Sequence, residues 1–283
     1  MAKPTIANVA ELAGVSQATV SRALRGAINV TEETRIKVQR AADQLNFTLS
    51  KSASALASGK TMRVILLVSG KLNEWFNSGV LQGVYEELAP VGYDVTPAFI
   101  TDRSELDRFF SQLPKSRNAD AIIISSFQLM PAMRDQLQAI DLPTVGVNVP
   151  AESGYFDASI SIDNSSAMTM AVRLLRSLGH TNIAFCSDYI PADMVYNTSQ
   201  RTQAFADAAQ ANATDGITFS LLTADAHDAP LSKSDLASQL TAKLLSLPER
   251  PTAVCVETDQ VAIALVKELR KQQLNVPEDI SVL

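Results

Sequence analysis

The sequence of 283 residues is poor in the residue types that most often carry catalysis or metal binding. It contains two cysteines, two histidines and one tryptophan. Both cysteines, Cys186 and Cys255, lie within apolar runs (IAFCSD and TAVCVE), where a free cysteine usually serves as a small buried side chain. This placement favours neither a disulfide framework nor a cysteine metal site, and we expect no metal ion and no cofactor.

Long hydrophobic runs and familiar catalytic motifs are also missing. No stretch approaches the roughly 18 apolar residues that predict a membrane span, and the start MAKPTIANVAEL lacks the apolar core of a signal peptide. The patterns G-x-x-x-x-G-K-[ST], H-E-x-x-H and G-x-S-x-G do not occur. We therefore expect a cytoplasmic protein with no membrane partner, and we disfavour the alternative that the chain is an enzyme.

Charges of the two signs are unevenly distributed along the chain. The formal net charge is −6, and 46% hydrophobic with 19% charged residues suits a globular protein. Residues 1–60 nevertheless contain eight Lys or Arg and four acids, a net +4, which leaves −10 for the remainder. A basic head on an acidic body is typical of a module that binds phosphates, joined to a part that does not.

Local signals in the basic head predict three short helices. Thr5, Ser16 and Thr31 are good N-caps, and apolar residues follow each of them at helical spacing. Gly14 permits the left-handed conformation that ends the first helix. Two short helices joined by a tight turn, with a third to close the core, form a helix-turn-helix domain. The predicted helices span residues 6–13, 17–24 and 32–45.

The residues on the outer face of the second predicted helix favour a DNA-binding head over the alternative of an ordinary three-helix bundle. It carries small and hydrogen-bonding residues with a single arginine, which suits a helix that enters a major groove. A solvated helix would more often carry Glu–Lys pairs. The residues on this face are Gln17, Ala18, Thr19, Ser21 and Arg22.

The rest of the chain predicts a linker and an α/β body. Residues 47–61, FTLSKSASALASGKT, are rich in serine and alanine and are typical of a linker, or of a short helix that needs support. From Arg63 onward, apolar β-like runs alternate with helical stretches, which indicates parallel sheets covered on both faces and arranged in two lobes. Ligands of such sheets bind beyond the carboxyl ends of the strands. Strands are predicted at 64–68, 121–124, 144–149, 159–162, 183–186, 217–222 and 253–256, and helices near 76–89, 103–113, 131–140, 164–178, 199–212, 233–246 and 260–273.

Motifs along the whole chain resemble those of the lactose-repressor (LacI/GalR) family. The head TIANVAELAGVSQATVSRALRG, the segment VTEETRIKV and the linker ending ALASGKT match, and NEWF, SIDN, LLRSLGHTNIAF, RTQAF, PTAVCVETDQVA and VPEDISVL follow in the family's order. The resemblance implies a homodimeric transcription regulator, more often a repressor. It also implies a helix-turn-helix domain (1–47), a hinge (48–61) and a two-lobed, periplasmic-binding-protein-like domain for effector binding and dimerisation (62–283).

The resemblance assigns roles toward a palindromic operator in double-stranded DNA. Gln17, Ala18 and Arg22 would read base edges, because Gln and Arg form bidentate pairs with adenine and guanine. Ala53 and Leu56 belong to the hinge, and Leu56 would wedge into the minor groove and bend the duplex. Where the family commonly has a proline and a basic residue, this linker has Leu49 and Ser54. Contacts to phosphates, which set the register without reading sequence, are expected from Thr5, Ser16, Thr19, Ser21 and Thr34.

The resemblance also implies a small-molecule effector, with a sugar as the family's usual class. Trp75 and Phe76 match an aromatic pair behind the first strand, where a flat ring can stack on a sugar; core packing is the alternative for both. Arg201 of RTQAF matches an effector-contacting arginine, and a solvated helix-start charge is its alternative. Ser125, Thr258 and Asp259 follow strands and are expected to contact the effector, although Asp259 has the alternative of capping the next helix.

His180, Asp163 and Asn164 are interpreted as residues of helix ends and turns rather than ligand contacts. A periplasmic-type sugar-binding protein without a DNA role is the main alternative function, and the basic head and the missing signal peptide disfavour it. The family pattern continues past Leu283, so the resemblance predicts that the sequence stops short of the family's C-terminal end, within a strand that starts near Ile280.

Overall fold

The computed structural model describes residues 4–27, 29–48, 59–116, 118–149, 156–189, 195–213, 216–226 and 231–283. In these ranges the chain forms a head of three helices and a body of two parallel sheets flanked by helices. The helices are α1 Ile6–Ala13, α2 Gln17–Leu24, α3 Glu32–Gln44, α4 Trp75–Leu88, α5 Arg103–Ser116, α6 Pro131–Ala139, α7 Asn164–Ser177, α8 Asn197–Ala211, α9 Lys233–Leu245 and α10 Asp259–Lys271. The strands are β1 Arg63–Ser69, β2 Asp94–Ile100, β3 Ala121–Ser125, β4 Thr144–Val147, β5 Ala158–Ile160, β6 Asn182–Ser187, β7 Thr218–Thr223, β8 Ala253–Val256 and β9 Ser281–Val282.

The head folds as the capping signals predict. The side chains of Thr5, Ser16 and Thr31 each accept a hydrogen bond from a main-chain N–H in the first turn of the helix that follows. Gly14 has φ of 68° and ends α1, so the turn to α2 uses the left-handed conformation that glycine adopts without strain. Apolar side chains from all three helices, with Val30, form the small core of the head: Val9, Ala10, Val20, Ala23, Val38, Ala41 and Ala42.

The first lobe is built on the five-stranded parallel sheet β2-β1-β3-β4-β5. Its central strand β1 is buried from Val64 to Val68, as expected for a strand covered on both faces. The edge strand β2 was not among the strands predicted from the sequence. It contains Pro97 and alternates between exposed and half-buried positions over much of its length. Proline is tolerated there because an edge strand need not donate every N–H to a neighbour.

The second lobe is built on the four-stranded parallel sheet β7-β6-β8-β9. Helices α9 and α10 pack on one face of this sheet, and α7 and α8 pack on the other. The prediction of a strand near Ile280 is confirmed, because Ile280 is fully buried and β9 pairs with β8. Cys186 and Cys255 are free and buried on opposite faces of the sheet, which confirms their interpretation as small core side chains.

The lobes meet where the chain runs from the first sheet into α7 and again before α8. Residues beyond β3 pair with the segment that precedes α8, through an antiparallel bridge between Phe127 and Tyr196. The N–H of Asn197 donates to the carbonyl of Ser126 at 2.9 Å. The start of α8 therefore lies against the carboxyl ends of the first-lobe strands. No helix in the described ranges is both long enough and apolar enough to cross a lipid bilayer.

Candidate functional site

The outer surface of α2 carries the candidate base-reading residues. Gln17, Ala18 and Arg22 are all exposed, while Val20 and Ala23 face the core of the head. Nε of Arg22 donates to the carbonyl of Ala18 at 3.3 Å, which keeps the arginine along the helix. We call Gln17, Ala18 and Arg22 the recognition surface. The Gln17 amide can donate to and accept from base edges, the Arg22 guanidinium can donate, and the Ala18 methyl can make an apolar contact, as major-groove recognition requires.

The candidate phosphate-binding hydroxyls have partners within the head. Ser16 Oγ lies 2.9 Å from Thr19 Oγ1 and accepts from the Thr19 N–H at 3.1 Å. Thr5 Oγ1 lies 2.7 Å from Oδ1 of Asn8. A capping bond uses only an acceptor site of a hydroxyl, whereas a phosphate oxygen needs its single O–H donor. The Thr5 O–H already donates to Asn8, so it would have to rotate to reach a phosphate. The remaining candidates are also paired, Ser21 with Arg25 and Thr34 with Thr31.

Ala53 and Leu56, with the departures Leu49 and Ser54, lie outside the described residues. Their roles toward the minor groove stay predictions from the resemblance.

Between the lobes, Trp75 and Asp259 are in direct contact. Nε1 of Trp75 donates to Oδ1 of Asp259 at 3.1 Å. Trp75 is 62% exposed, so the core-packing alternative is wrong for this residue. Half-buried Phe76 packs edge-on against it, with ring centroids 5.7 Å apart. Thr258 occupies the N-cap position of α10 and Asp259 is the first residue of that helix, so Asp259 is not its N-cap.

Arg201 on α8 is held by two polar partners at the lobe crossing. Its Nε donates to Oδ1 of Asn164 at 3.1 Å, and its Nη1 donates to the carbonyl of Glu257. Arg201 is half-buried, so the alternative of a solvated charge is wrong. The acceptors in both bonds are neutral oxygens, one of a side-chain amide and one of the main chain.

Three asparagines continue this arrangement into the first lobe. Nδ2 of Asn164 donates to Oδ1 of Asn197, and Nδ2 of Asn197 donates to Oδ1 of Asn148. All three are buried. Nδ2 of Asn148 lies 3.4 Å from Oγ of Ser126, and both residues have positive φ, 53° and 73°. This asparagine cluster links the end of β4 to the starts of α7 and α8.

The structure separates the predicted site residues into two groups. Trp75, Asp259 and Arg201 lie around the junction of the lobes and form polar contacts there. Ser125 is fully buried, and its Oγ lies 3.3 Å from Oγ of the neighbouring Ser126. The hydroxyl of Thr258 is buried and has no hydrogen-bond partner in the described part of the chain.

The structural interpretation of two other residues is consistent with their contacts. Asp163 caps α7 by accepting from the Ser166 N–H at 2.9 Å. Nδ1 of His180 lies 2.9 Å from Oγ1 of Thr252 and so joins the turn before β6 to the turn before β8.

Sequence reasoning did not single out Glu257 or Asn197. Glu257 directly follows β8 and is only 7% exposed. Burial raises its pKa to about 7, and the nearby carboxylate of Asp188 adds to the shift. The signal that could have revealed Glu257 is an acidic residue joined directly to a fully apolar strand, AVCVE. Asn197 has no comparable local signal.

Comparisons with known families match both parts of the chain. A family model described as bacterial regulatory proteins, lacI family, matches residues 5–50. A second, described as a periplasmic binding protein-like domain, matches residues 172–283.

Similar proteins agree with these matches. The HTH-type transcriptional repressor PurR of Vibrio cholerae serotype O1 (strain M66-2) is 30% identical over 282 residues, covering 99% of this chain and 80% of that protein. Catabolite control protein A of Priestia megaterium is 26% identical, covering 99% and 81%. Among solved structures, the lac repressor dimer bound to operator and the anti-inducer ONPF superposes with a TM-score of 0.79 at 22% identity, covering 99% and 82%. The complex of the transcriptional regulator CelR with cellobiose superposes with a TM-score of 0.61 at 25% identity, covering 99% of this chain and 81% of that one.

Proposed function

The chain belongs to the lacI family of bacterial regulatory proteins, and from this premise we propose that it is a homodimeric transcription repressor controlled by a small sugar-like effector. Two heads (1–47) bind adjacent major grooves of a palindromic operator, and hinges (48–61) connect them to the bodies (62–283). The effector binds between the lobes and changes the geometry of the dimer, which changes operator affinity.

The observation that carries this proposal is the recognition surface on α2. Gln17, Ala18 and Arg22 are exposed on a helix whose other face is buried in the head. Specific recognition needs exposed groups that can contact base edges, since phosphate contacts alone position a protein without reading sequence. The net charge of +4 on residues 1–60 supplies the sequence-independent attraction to the backbone.

The contacts between the lobes support the effector site. Trp75 comes from the first lobe, Asp259 and Arg201 come from the second, and an aromatic face beside charged and amide groups suits a polyhydroxylated ligand. The lac repressor structure contains ONPF and the CelR structure contains cellobiose, which favours a sugar-like ligand here. The proposed site comprises Trp75, Phe76, Ser125, Arg201, Thr258 and Asp259.

The proposal includes no catalysis, because a family of transcription regulators acts by binding. It places the protein in the cytoplasm, because a repressor must reach chromosomal DNA. Both statements follow from the proposed role on DNA.

A selection for bound DNA tests this function. The full chain would be mixed with random duplexes, and the bound fraction would be sequenced with and without galactose, sucrose, cellobiose or other sugars. We expect enrichment of a palindrome and its loss, or its strengthening, with one sugar. Failure to enrich any sequence would overturn the proposal. Sugar binding without DNA enrichment would instead support the alternative of a sugar-binding protein with no DNA role.

A further inference from the structure

Glu257 is a buried acid on the second-lobe side of the proposed effector site. It follows the central strand β8 and is 7% exposed. The N–H of Asp188, at the end of the neighbouring strand β6, donates a hydrogen bond to its carboxyl group. Oε2 has no hydrogen-bond partner in the described part of the chain. A buried carboxyl oxygen without a partner is costly, so its retention indicates a role beyond folding.

The neighbours of Glu257 place it at the effector site. Its own carbonyl accepts from Nη1 of Arg201. The next two residues are Thr258, whose hydroxyl is also buried without a described partner, and Asp259, which contacts Trp75. The electrostatic interaction of the Glu257 carboxyl group with Arg201 places it near residues to which the proposal assigns the ligand.

The charged groups around Glu257 are of both signs. The groups that face it are Asp188 at the end of β6, Lys233 at the start of α9, Arg201 on α8 and Cys186 within β6. Burial is the largest influence on the Glu257 carboxyl group and raises its pKa to about 7, with a smaller contribution from the Asp188 carboxylate. The Asp188 N–H, Lys233 and Arg201 all favour the ionised form and limit this rise. Burial also raises the pKa of Cys186 to about 12, so this thiol stays neutral.

We propose that Glu257 is a specificity-determining residue of the effector site and that it selects an effector carrying a protonated amine, such as an amino sugar. The inference rests on the proposed function, because it assumes that the effector binds between the lobes. An ammonium group against the unpartnered Oε2 forms a charge-assisted hydrogen bond. A hydroxyl in the same place donates a neutral hydrogen bond, which is weaker.

Proton linkage gives this preference a pH signature. Below about pH 7 the carboxyl group of the free site is increasingly protonated, and an ammonium ligand must displace that proton. Affinity for an amine ligand therefore rises about tenfold per pH unit well below the pKa of the free site, and levels off near it. A neutral sugar has no such requirement, so its affinity stays nearly flat over the same interval.

Calorimetry with matched ligands and the full chain tests the proposal. The pairs are glucosamine with glucose, galactosamine with galactose, and the diamino counterpart of cellobiose with cellobiose. We expect at least one amine to bind about tenfold or more tightly than its neutral partner near pH 7, because charge-assisted bonds exceed neutral ones. The same amine should lose affinity toward about pH 5.5.

Two matched variants separate recognition from a purely structural effect. Glu257→Gln keeps the shape and removes the charge, and it should lower amine affinity about tenfold while changing neutral-sugar affinity less than about threefold. It should also abolish the pH dependence. Glu249→Gln makes the same change at an exposed position of the second lobe and should leave both affinities unchanged. The pH profile of the parent chain needs no variant, so a folding defect cannot remove the test.

The outcomes distinguish this inference from the proposed function. If neutral sugars bind as tightly as amines in every pair, if no amine binds, or if Glu257→Gln weakens both ligands equally, the inference is wrong. Operator release by a neutral sugar with inactive amines leaves the proposed function standing. If the chain binds amines but no operator, the inference about Glu257 stands and the proposed repressor function is wrong.

Discussion

Nε1 of Trp75 donates a hydrogen bond to Oδ1 of Asp259, 3.1 Å away, and so joins the first residue of α4 to the first residue of α10. These helices follow β1 of the first lobe and β8 of the second. The contact therefore spans the junction at which we propose that the effector binds. Trp75 is also the single tryptophan of the sequence.

The Trp75–Asp259 contact predicts a fluorescence change on substitution. Asp259→Ala removes the acceptor, so the emission of Trp75 should shift toward that of a fully solvated indole. The unfolding midpoint should change little, because an exposed pair contributes at most about 1 kcal/mol. Steady-state emission spectra of the purified chain would measure the shift. Asp207→Ala, at an exposed position of α8, should leave the spectrum unchanged, and an unaltered spectrum in Asp259→Ala would contradict the contact.

The recognition surface predicts a specific loss on substitution of Arg22. Arg22→Ala should weaken binding to the selected operator by about 10- to 100-fold, since a bidentate base contact contributes about 1–3 kcal/mol of discrimination. Arg40→Ala removes the same charge from an exposed position of α3. Fluorescence anisotropy on the operator and on random duplexes would compare the two variants. An equal fall in specific and non-specific affinity for Arg22→Ala would show that Arg22 contacts phosphate instead.

The asparagine cluster predicts a stability cost when its central member is removed. Asn197→Ala leaves the buried Oδ1 of Asn148 without its partner and leaves Nδ2 of Asn164 only the long bond to the main-chain carbonyl at position 197, which costs about 1–3 kcal/mol. The midpoint of urea unfolding, at one fixed protein concentration, would report the change. Gln203→Ala, at an exposed site on the same helix, should stay within about 0.5 kcal/mol of the parent. A similar midpoint for both variants would contradict a structural role for the cluster.

The raised pKa of Glu257 predicts a pH dependence of stability. Its pKa is about 7 in the folded chain against an ordinary 4.5, so the folded state keeps a proton that the unfolded state releases. The contribution is complete below about pH 4.5 and is lost as the pH rises to about 7, by roughly 3 kcal/mol. Glu257→Gln should lack this fall and should exceed the parent in stability at about pH 8. Melting temperatures of both proteins between about pH 5 and 8 would measure it, and parallel curves would exclude the effect.

The head could be predicted from the sequence almost residue by residue. Thr5, Ser16 and Thr31 cap their helices because capping depends only on a few neighbouring residues. The alternation of apolar β-like runs with helical stretches predicted most strands of the body, because this pattern also depends on neighbouring residues. Strand β2 was missed because it contains Pro97 and has few regularly spaced apolar residues. Its pairing with the neighbouring strand β1 stabilises it, and this pairing is not visible in the local sequence.

The site could be predicted only in part. Trp75, Arg201 and Asp259 each matched a motif, but the sequence gives no indication that Trp75 and Asp259 touch, since they are 184 positions apart. Asn197 lies in a polar segment with no periodicity, and its importance arises only where the two lobes meet. Glu257 resembles an ordinary strand end until its burial is known.

The hydrogen bonds that begin at Arg201 have a polarity. A guanidinium can only donate, so Arg201 fixes the oxygen of Asn164 toward itself and the nitrogen of Asn164 away from it. The same orientation then passes to Asn197 and Asn148. One cation on α8 thus sets which way three amides point, as far as the end of β4. A ligand that drew Arg201 away would remove this constraint, and each amide of the asparagine cluster could then adopt either orientation.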